Sequence, residues 1–143
     1  MRRFFIIDTN VVVAGLITQR ADVSVVRILD GMLRAEFGFV LSEELLAEYR
    51  SVLERSKLRK LHGLSTTEIE IVLTDIAQHA IVLTPCADAK APVAPDAGDQ
   101  FLWNLLASRS DLILVTGAKL PLQDVAMQGR VILPQTFAAQ RWP

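Results

Sequence analysis

Apolar runs and amphipathic stretches alternate from the start of the chain. Phe4-Phe5-Ile6-Ile7 is an unbroken apolar run that ends at the polar Asp8, which is typical of a strand buried on both faces. Apolar residues then recur at helical spacing over residues 25–33, and residues 37–41 favour a second strand. The pattern therefore begins as strand, helix, strand.

Two helix starts follow, and each carries its own capping signal. Ser42 is a suitable N-cap, with Glu43 and Glu44 in the first turn, where the helix dipole favours negative charge. Ser65 and Glu68 have the spacing of a capping box before an amphipathic stretch. Both positions are predicted to begin helices that pack against the rest of the domain.

The remaining chain continues the alternation after a loop. The predicted elements are a third strand at residues 80–83, a loop at 85–95, a helix opening at Asp99, a strand at 112–115, a fifth strand at 131–133 and a short C-terminal helix after Pro134. Alternating strands and helices predict an α/β sandwich with a mostly parallel sheet. We expect a single domain over residues 1–143 because no linker or repeat divides the chain.

Charge and cysteine content narrow the classes of protein. The 143 residues contain 15 Lys and Arg against 16 Asp and Glu, so any contact with nucleic acid must come from a local basic patch. The first apolar run is too short for a signal peptide or a membrane span, and we expect a cytoplasmic protein without membrane contact. Cys86 is the only cysteine, which excludes an internal disulfide and a cysteine-based zinc site; we expect it in a loop or at a strand end.

Acidic and polar residues come where parallel strands are expected to end. Ligands of open parallel sheets bind at the carboxyl ends of the strands, and Asp8 and Thr116 both follow predicted strands. Asp96 and Asp99 lie just before or at the start of a helix that should open near the same edge. Each acid could instead serve only as a turn or helix cap. Their conjunction predicts one acidic rim.

One further acid is expected from the helix after Ser42. Glu48 lies three residues after Leu45 and four before Val52, at the border of the apolar stripe, and Glu44 is the second choice one turn earlier. Crowded carboxylates repel each other unless a cation compensates them. Oxygen ligands without clustered cysteine or histidine favour Mg²⁺ or Mn²⁺, which could activate water to attack a phosphodiester.

These motifs, in this order and spacing, resemble those of the PIN-domain family and, more narrowly, of its VapC-related toxins of toxin–antitoxin systems. The matching segments are Asp8-Thr9-Asn10-Val11, the helix opening at residues 42–49, Asp96 and Asp99 before Phe101-Leu102, and Val115-Thr116-Gly117. The resemblance runs from about Arg3 to about Phe137 and implies a three-layer α/β/α sandwich with a parallel sheet.

The resemblance also implies an activity and partners. It implies an endonuclease that cuts RNA with Mg²⁺ or Mn²⁺, forms a homodimer and binds a small antitoxin protein. By position, the implied catalytic acids are Asp8, Glu48 and Asp99, with Asp96 as a fourth metal ligand, and the implied residues that orient the first acid and the outer shell of the metal are Asn10 and Thr116.

One position departs from the family pattern. Ala118 stands where the VapC-related branch usually carries a fourth acid. Asp124 would lie about 9 Å further along if the intervening chain were helical, which is too far for it to substitute for that acid. Two hypotheses follow. Three carboxylates hold the metal in a weakened ribonuclease, or the domain is catalytically degenerate and only binds RNA or its antitoxin.

Other features keep alternatives open. Basic residues are concentrated in one stretch of the chain, which forms either a phosphate-binding surface or a solvated helix face. This basic concentration consists of Arg50, Arg55, Lys57, Arg59, Lys60 and His62. Trp142 and residues 11–17 are either a docking surface for a partner or part of the core. Phosphoryl transfer to Asp8 would explain that acid alone, and no glycine-rich turn follows the first strand to bind a dinucleotide.

Overall fold

The computed structural model describes residues 3–20, 23–85, 91–118, 121–122, 129–140 and 142. Its elements are β1 (Phe4–Ile7), α1 (Thr9–Ile17), α2 (Ser24–Leu33), β2 (Val40–Leu41), α3 (Glu43–Leu53), α4 (Ser56–His62), α5 (Thr66–His79), β3 (Ile81–Val82), a 3₁₀ helix (Ala97–Asp99), α6 (Gln100–Ala107), β4 (Leu112–Val115), β5 (Val131–Ile132) and α7 (Pro134–Ala138). The expectations about Cys86 and Asp124 lie outside the described residues.

Every described strand pairing is parallel. β1 pairs with β4 from Phe4 opposite Leu112 to Ile7 opposite Val115, and β5 adds to the other edge of β4. β2 pairs with β3, and a parallel bridge between Phe5 and Phe39 connects this pair to β1. The predicted α/β fold with a parallel sheet is confirmed.

The central strands are buried on both faces. Ile6 and Ile7 in β1 and Leu114 and Val115 in β4 are all 0% exposed. Because neighbouring side chains of a strand point to opposite faces, helices must cover both sides of these strands. This burial gives the α/β/α layering, in which α1 contacts α2 and α3, and α2 contacts α7.

Both predicted helix caps are present. The hydroxyl of the buried Ser42 accepts a hydrogen bond from the backbone N–H of Leu45 at 3.2 Å and so begins α3. Ser65 and Glu68 form the reciprocal capping box of α5. These local signals position α3, the helix that carries Glu48.

Three of the predicted strands are shorter in the structure, whereas β1 and β4 have their predicted bounds. The strand expected at residues 37–41 is regular only from Val40, because Phe37 packs in an aromatic cluster against Phe137 and Trp142 at centroid distances of 4.9 and 4.8 Å. The strand expected at 131–133 ends at Ile132, since Leu133 is the N-cap of α7. Tertiary contacts therefore moved these strand ends, and the structure adds two helices that were not predicted, α1 and α4.

The structure shows how residues 11–17 and Trp142 pack within the chain. Residues 11–17 lie within α1, where Val11 and Val12 are buried in the core. Trp142 packs against Phe37 and under the guanidinium of Arg27, 5.6 Å from its ring centre. Val11 and Val12 therefore belong to the core and Trp142 packs against it, whereas Ile17 is half-buried and lines a groove. No helix in the described part of the chain is long and apolar enough to cross a membrane.

Candidate active site

Asp8 lies where β1 ends and α1 begins, at the carboxyl edge of the sheet. It is only 6% exposed and is the N-cap of α1. Its Oδ1 accepts a hydrogen bond from the backbone N–H of Thr9 at 2.8 Å, and its Oδ2 accepts one from the Thr116 hydroxyl at 2.7 Å. The Asn10 amide donates a third at 3.2 Å. Three donors thus fix the orientation of this carboxylate.

Asn10 and Thr116 form a small network that extends to the loop after β4. The Asn10 Nδ2 donates to the Thr116 hydroxyl at 3.1 Å, and the Asn10 Oδ1 accepts from the backbone N–H of Gly117 at 3.2 Å. The backbone N–H of Ala118 donates to the same hydroxyl at 3.0 Å. Because Thr116 is fully buried, its hydroxyl connects Asp8 to this loop without water.

Glu48 is held next to Asp8 through Thr9. The Thr9 hydroxyl donates to Glu48 Oε1 at 2.5 Å, while the Thr9 backbone N–H donates to Asp8. One residue therefore couples the acid of β1 to the acid of α3. Sequence reasoning assigned no role to Thr9, because its contact with Glu48 joins residues 39 positions apart.

Tyr49 fastens α3 to the strand end from inside the core. Its ring is fully buried, and its hydroxyl donates to the backbone carbonyl of Ile7, the residue before Asp8. Burial, and then the charges of Asp8 and Glu48, raise the pKa of Tyr49 well above 10.0. The phenol therefore stays protonated and keeps this hydrogen bond at neutral pH.

Asp99 and Asp96 occupy different positions although they are close in sequence. Asp99 stands at the N-terminus of α6, yet its side chain makes no capping hydrogen bond. Asp96 is exposed and caps the 3₁₀ helix by accepting from the backbone N–H of Gly98 at 2.9 Å. The Asp99 carboxylate is therefore not used as a helix cap. Asp96 does serve as a cap, and it is not among the described residues that line the groove.

The acids meet in one groove of about 1020 Å³ between α1, α3 and the start of α6. Asp8, Glu48 and Asp99 line it, and Glu44, the second choice from the sequence, lies on its wall as well. Ala118 also lines the groove. The helical spacing that selected Glu48 therefore predicted the face of α3 that lines this groove.

The electrostatics of the groove suit a cation. Burial raises the pKa of Asp8 above its ordinary 3.8, and the charge of Glu48 adds to this rise, while hydrogen bonds from Thr116 and Thr9 oppose it. Burial also raises the pKa of Asp99, and the charges of Asp8 and Asp96 add to it. Both pKa shifts arise because the carboxylates are partly buried and close to other negative charges, and a positive ion would relieve this repulsion.

The donor chemistry fits Mg²⁺ or Mn²⁺ held by few protein ligands. Among the described residues, no three acidic, histidine or cysteine side chains lie together closely enough to hold an ion by themselves. Mg²⁺ is commonly bound through one or two carboxylates and keeps several water molecules. Asp8, Glu48 and Asp99 all line the groove, so two of these three acids could supply such ligands.

The structure thus has a parallel sheet and, at its carboxyl edge, a groove lined by acidic side chains, an arrangement that suits a cation. The PIN domain family matches residues 5–119, a stretch that contains every site residue predicted from the sequence, and the chain belongs to this family of metal-dependent nucleases. No curated protein and no solved structure matches the chain.

Proposed function

We propose that this PIN domain is an endoribonuclease that uses Mg²⁺ or Mn²⁺ and the carboxylates of Asp8, Glu48 and Asp99. The observation that carries the proposal is the convergence of these acids, which come from β1, α3 and the start of α6, on one groove. The Thr9 bridge between Asp8 and Glu48 and the raised pKa of both Asp8 and Asp99 support it.

The chain supplies three separate roles in the proposed reaction. Asp8, whose carboxylate is oriented by three hydrogen-bond donors, is the first metal ligand. Asp99 is the second metal ligand, since its carboxylate makes no capping hydrogen bond. Glu48, held at Oε1 by Thr9, is the acid placed to accept a proton from the attacking water. The bound ion would lower the pKa of that water and stabilise negative charge on the phosphate.

Ala118 supports a second candidate function. Its methyl group lines the groove at the position where the VapC-related branch carries an acid. If that acid is required for turnover, the chain is a binding protein that retains the groove for RNA or an antitoxin. Such a protein would bind RNA without cutting it.

Cleavage of RNA by the purified protein separates the two candidates. We expect Mg²⁺- or Mn²⁺-dependent cleavage that is lost in Asp8→Asn and in Asp99→Asn and increased in Ala118→Asp. Equal background cleavage in all variants would refute the nuclease, and activity present only in Ala118→Asp would establish the degenerate candidate. Circular dichroism of each variant would show that the fold is retained.

The cellular role that we propose is that of a cytoplasmic toxin, acting as a homodimer and inhibited by a small antitoxin. The resemblance of the motifs around Asp8, Glu48 and Asp99 to the VapC-related branch supports it. Expression of the chain alone should stop bacterial growth, and expression of Asp8→Asn should not. A strict monomer in light scattering at micromolar concentration would contradict the homodimer.

A further inference from the structure

Three of the six residues in the basic concentration around α4 make contacts within the protein, namely Arg50, Arg59 and His62. Arg50 forms a two-pronged ion pair with Glu70, with the shorter N···O distance at 2.6 Å. Arg59 donates to the hydroxyl of Thr66 at 2.6 Å. These two guanidinium groups connect α3 and α4 to α5, so their positions are explained without a ligand.

His62 has a structural role as well. Its Nδ1 accepts a hydrogen bond from the backbone N–H of Leu64 at 2.9 Å, and its Nε2 lies 2.9 Å from the backbone carbonyl of Leu53. The Nε2 must therefore carry the proton, and the ring fastens the end of α4 to the end of α3.

Arg55 differs from these residues because its side chain lines the groove that contains the acids. Its backbone is fixed, since its carbonyl accepts from the N–H groups of Leu58 and Arg59 at 3.0 and 2.9 Å at the start of α4. Within the described part of the chain, it is the one cationic side chain in the groove lining. Lys57 and Lys60 are exposed and lie outside that lining.

The groove runs along two helices from the acids towards Arg55. Glu48 and Val52, one turn apart on α3, and Arg55, just beyond the end of α3, line the groove in succession. Val13 and Ile17 line the opposite wall on α1. The wall between the acids and the cation is therefore largely apolar.

We propose that Arg55 binds a second phosphate of the RNA strand, away from the phosphodiester that lies at Asp8 and Glu48. This inference rests on the proposed ribonuclease function. A planar guanidinium can hold a phosphate through two parallel hydrogen bonds, whereas the acids repel phosphate unless a cation is present. The apolar wall then faces the base and ribose between the two phosphates. Arg55 thus sets the position of the strand along the groove.

The test measures binding separately from cleavage. A fluorescent single-stranded RNA is titrated with Asp8→Asn protein in Mg²⁺ at several salt concentrations, with and without Arg55→Ala, Arg55→Lys or Lys60→Ala. We expect Arg55→Ala to weaken binding roughly tenfold and to reduce the slope of log affinity against log salt by about 0.7, the value for one phosphate of a single strand. Arg55→Lys should keep the slope and lose part of the affinity, because lysine is a point charge.

Lys60→Ala serves as the control for Arg55→Ala, and the kinetics of Arg55→Ala give a second measurement. Lys60→Ala removes an exposed charge of the same helix that lies outside the groove, so its binding should equal that of the parent protein. In the active background, Arg55→Ala should raise KM and leave kcat unchanged, as expected for a contact made equally before and during reaction.

The outcomes separate this proposal from the ribonuclease proposal. Equal losses in Arg55→Ala and Lys60→Ala, or no loss in either, would overturn the phosphate site even if the wild-type protein cuts RNA. If the wild-type protein cuts no RNA but binding still depends on Arg55 with the expected change in slope, the nuclease proposal falls and the phosphate site stands.

Discussion

Asp8 shows at the scale of one residue why this groove is suited to a cation. A carboxylate offers about four lone-pair positions, and Thr9, Asn10 and Thr116 occupy three of them. The donors fix the carboxylate but compensate its burial only in part, because its pKa remains raised. The remaining position and the unrelieved charge are available to a metal ion.

Thr9 is the residue whose removal tests the coupling of Asp8 to Glu48. Thr9→Val keeps the backbone N–H that binds Asp8 and the branched shape, but it removes the hydroxyl that donates to Glu48 Oε1. With Glu48 free to move by an ångström or so, we expect metal-dependent cleavage of RNA to fall roughly ten- to a hundredfold. The measurement is kcat on an RNA substrate.

Thr9→Ser provides the matched control, since it retains the hydroxyl and should keep most of the activity. The unfolding free energy of Thr9→Val should change by no more than about 1 kcal/mol, as expected for one net hydrogen bond. Full activity in Thr9→Val would show that the Glu48 contact is not required for the reaction.

Two helix caps allow the contribution of α3 to be tested at the scale of an element. Ser42 caps α3, which carries Glu48, and Ser65 caps α5, which has no described residue in the groove lining. Ser42→Ala and Ser65→Ala should each lower the unfolding free energy by about 1 kcal/mol. Only Ser42→Ala should also lower kcat, because it loosens the first turns of the helix that holds Glu48.

Urea denaturation measures the unfolding free energy of Ser42→Ala and Ser65→Ala, and RNA cleavage measures their kcat. If both variants lost activity in proportion to their stability, the effect would be a general one. The position of α3 would then have no particular bearing on the site.

The starts of α3 and α5 could be predicted from the sequence because their causes are local. Ser42 and the pair Ser65 and Glu68 satisfy backbone donors within one turn, and no distant residue is needed. Strand ends depend on distant partners, as Phe37 shows by leaving the ladder for the aromatic cluster with Trp142. Boundaries of that kind require the tertiary structure.

The candidate site divides in the same way. The topology of parallel strands predicted that Asp8 and Thr116 lie at one edge, and helical spacing predicted that Glu48 lies on the face of α3 that lines the groove. The Thr9 bridge could not be predicted, because it depends on how α1 crosses α3. Arg55 could not be separated from the neighbouring cations, because its direction is set by the break between α3 and α4.

At the scale of the whole molecule, the acidic groove should reduce stability when no metal is present. Burial and the charges of Asp8 and Asp96 raise the pKa of Asp99 in the folded state above its ordinary 3.8. The folded protein therefore binds a proton more tightly than the unfolded chain, and this contribution to stability is complete below pH 3.8. It is lost as the pH rises from there through the raised pKa.

Asp99→Asn isolates this contribution, since its side chain makes no capping hydrogen bond that the substitution would break. In EDTA, the variant should become more stable relative to the wild-type protein as the pH rises above 3.8.

Mg²⁺ at neutral pH should reverse the order of stability, so that the wild-type protein is more stable than Asp99→Asn. An ion at a hundred times its Kd stabilises the wild-type protein by about 2.7 kcal/mol, and the variant should gain less. Urea denaturation across pH with and without Mg²⁺ measures both effects. A wild-type protein that gains stability over Asp99→Asn as the pH rises in EDTA would contradict the crowding of charge, and equal stabilisation by Mg²⁺ would remove Asp99 from the metal site.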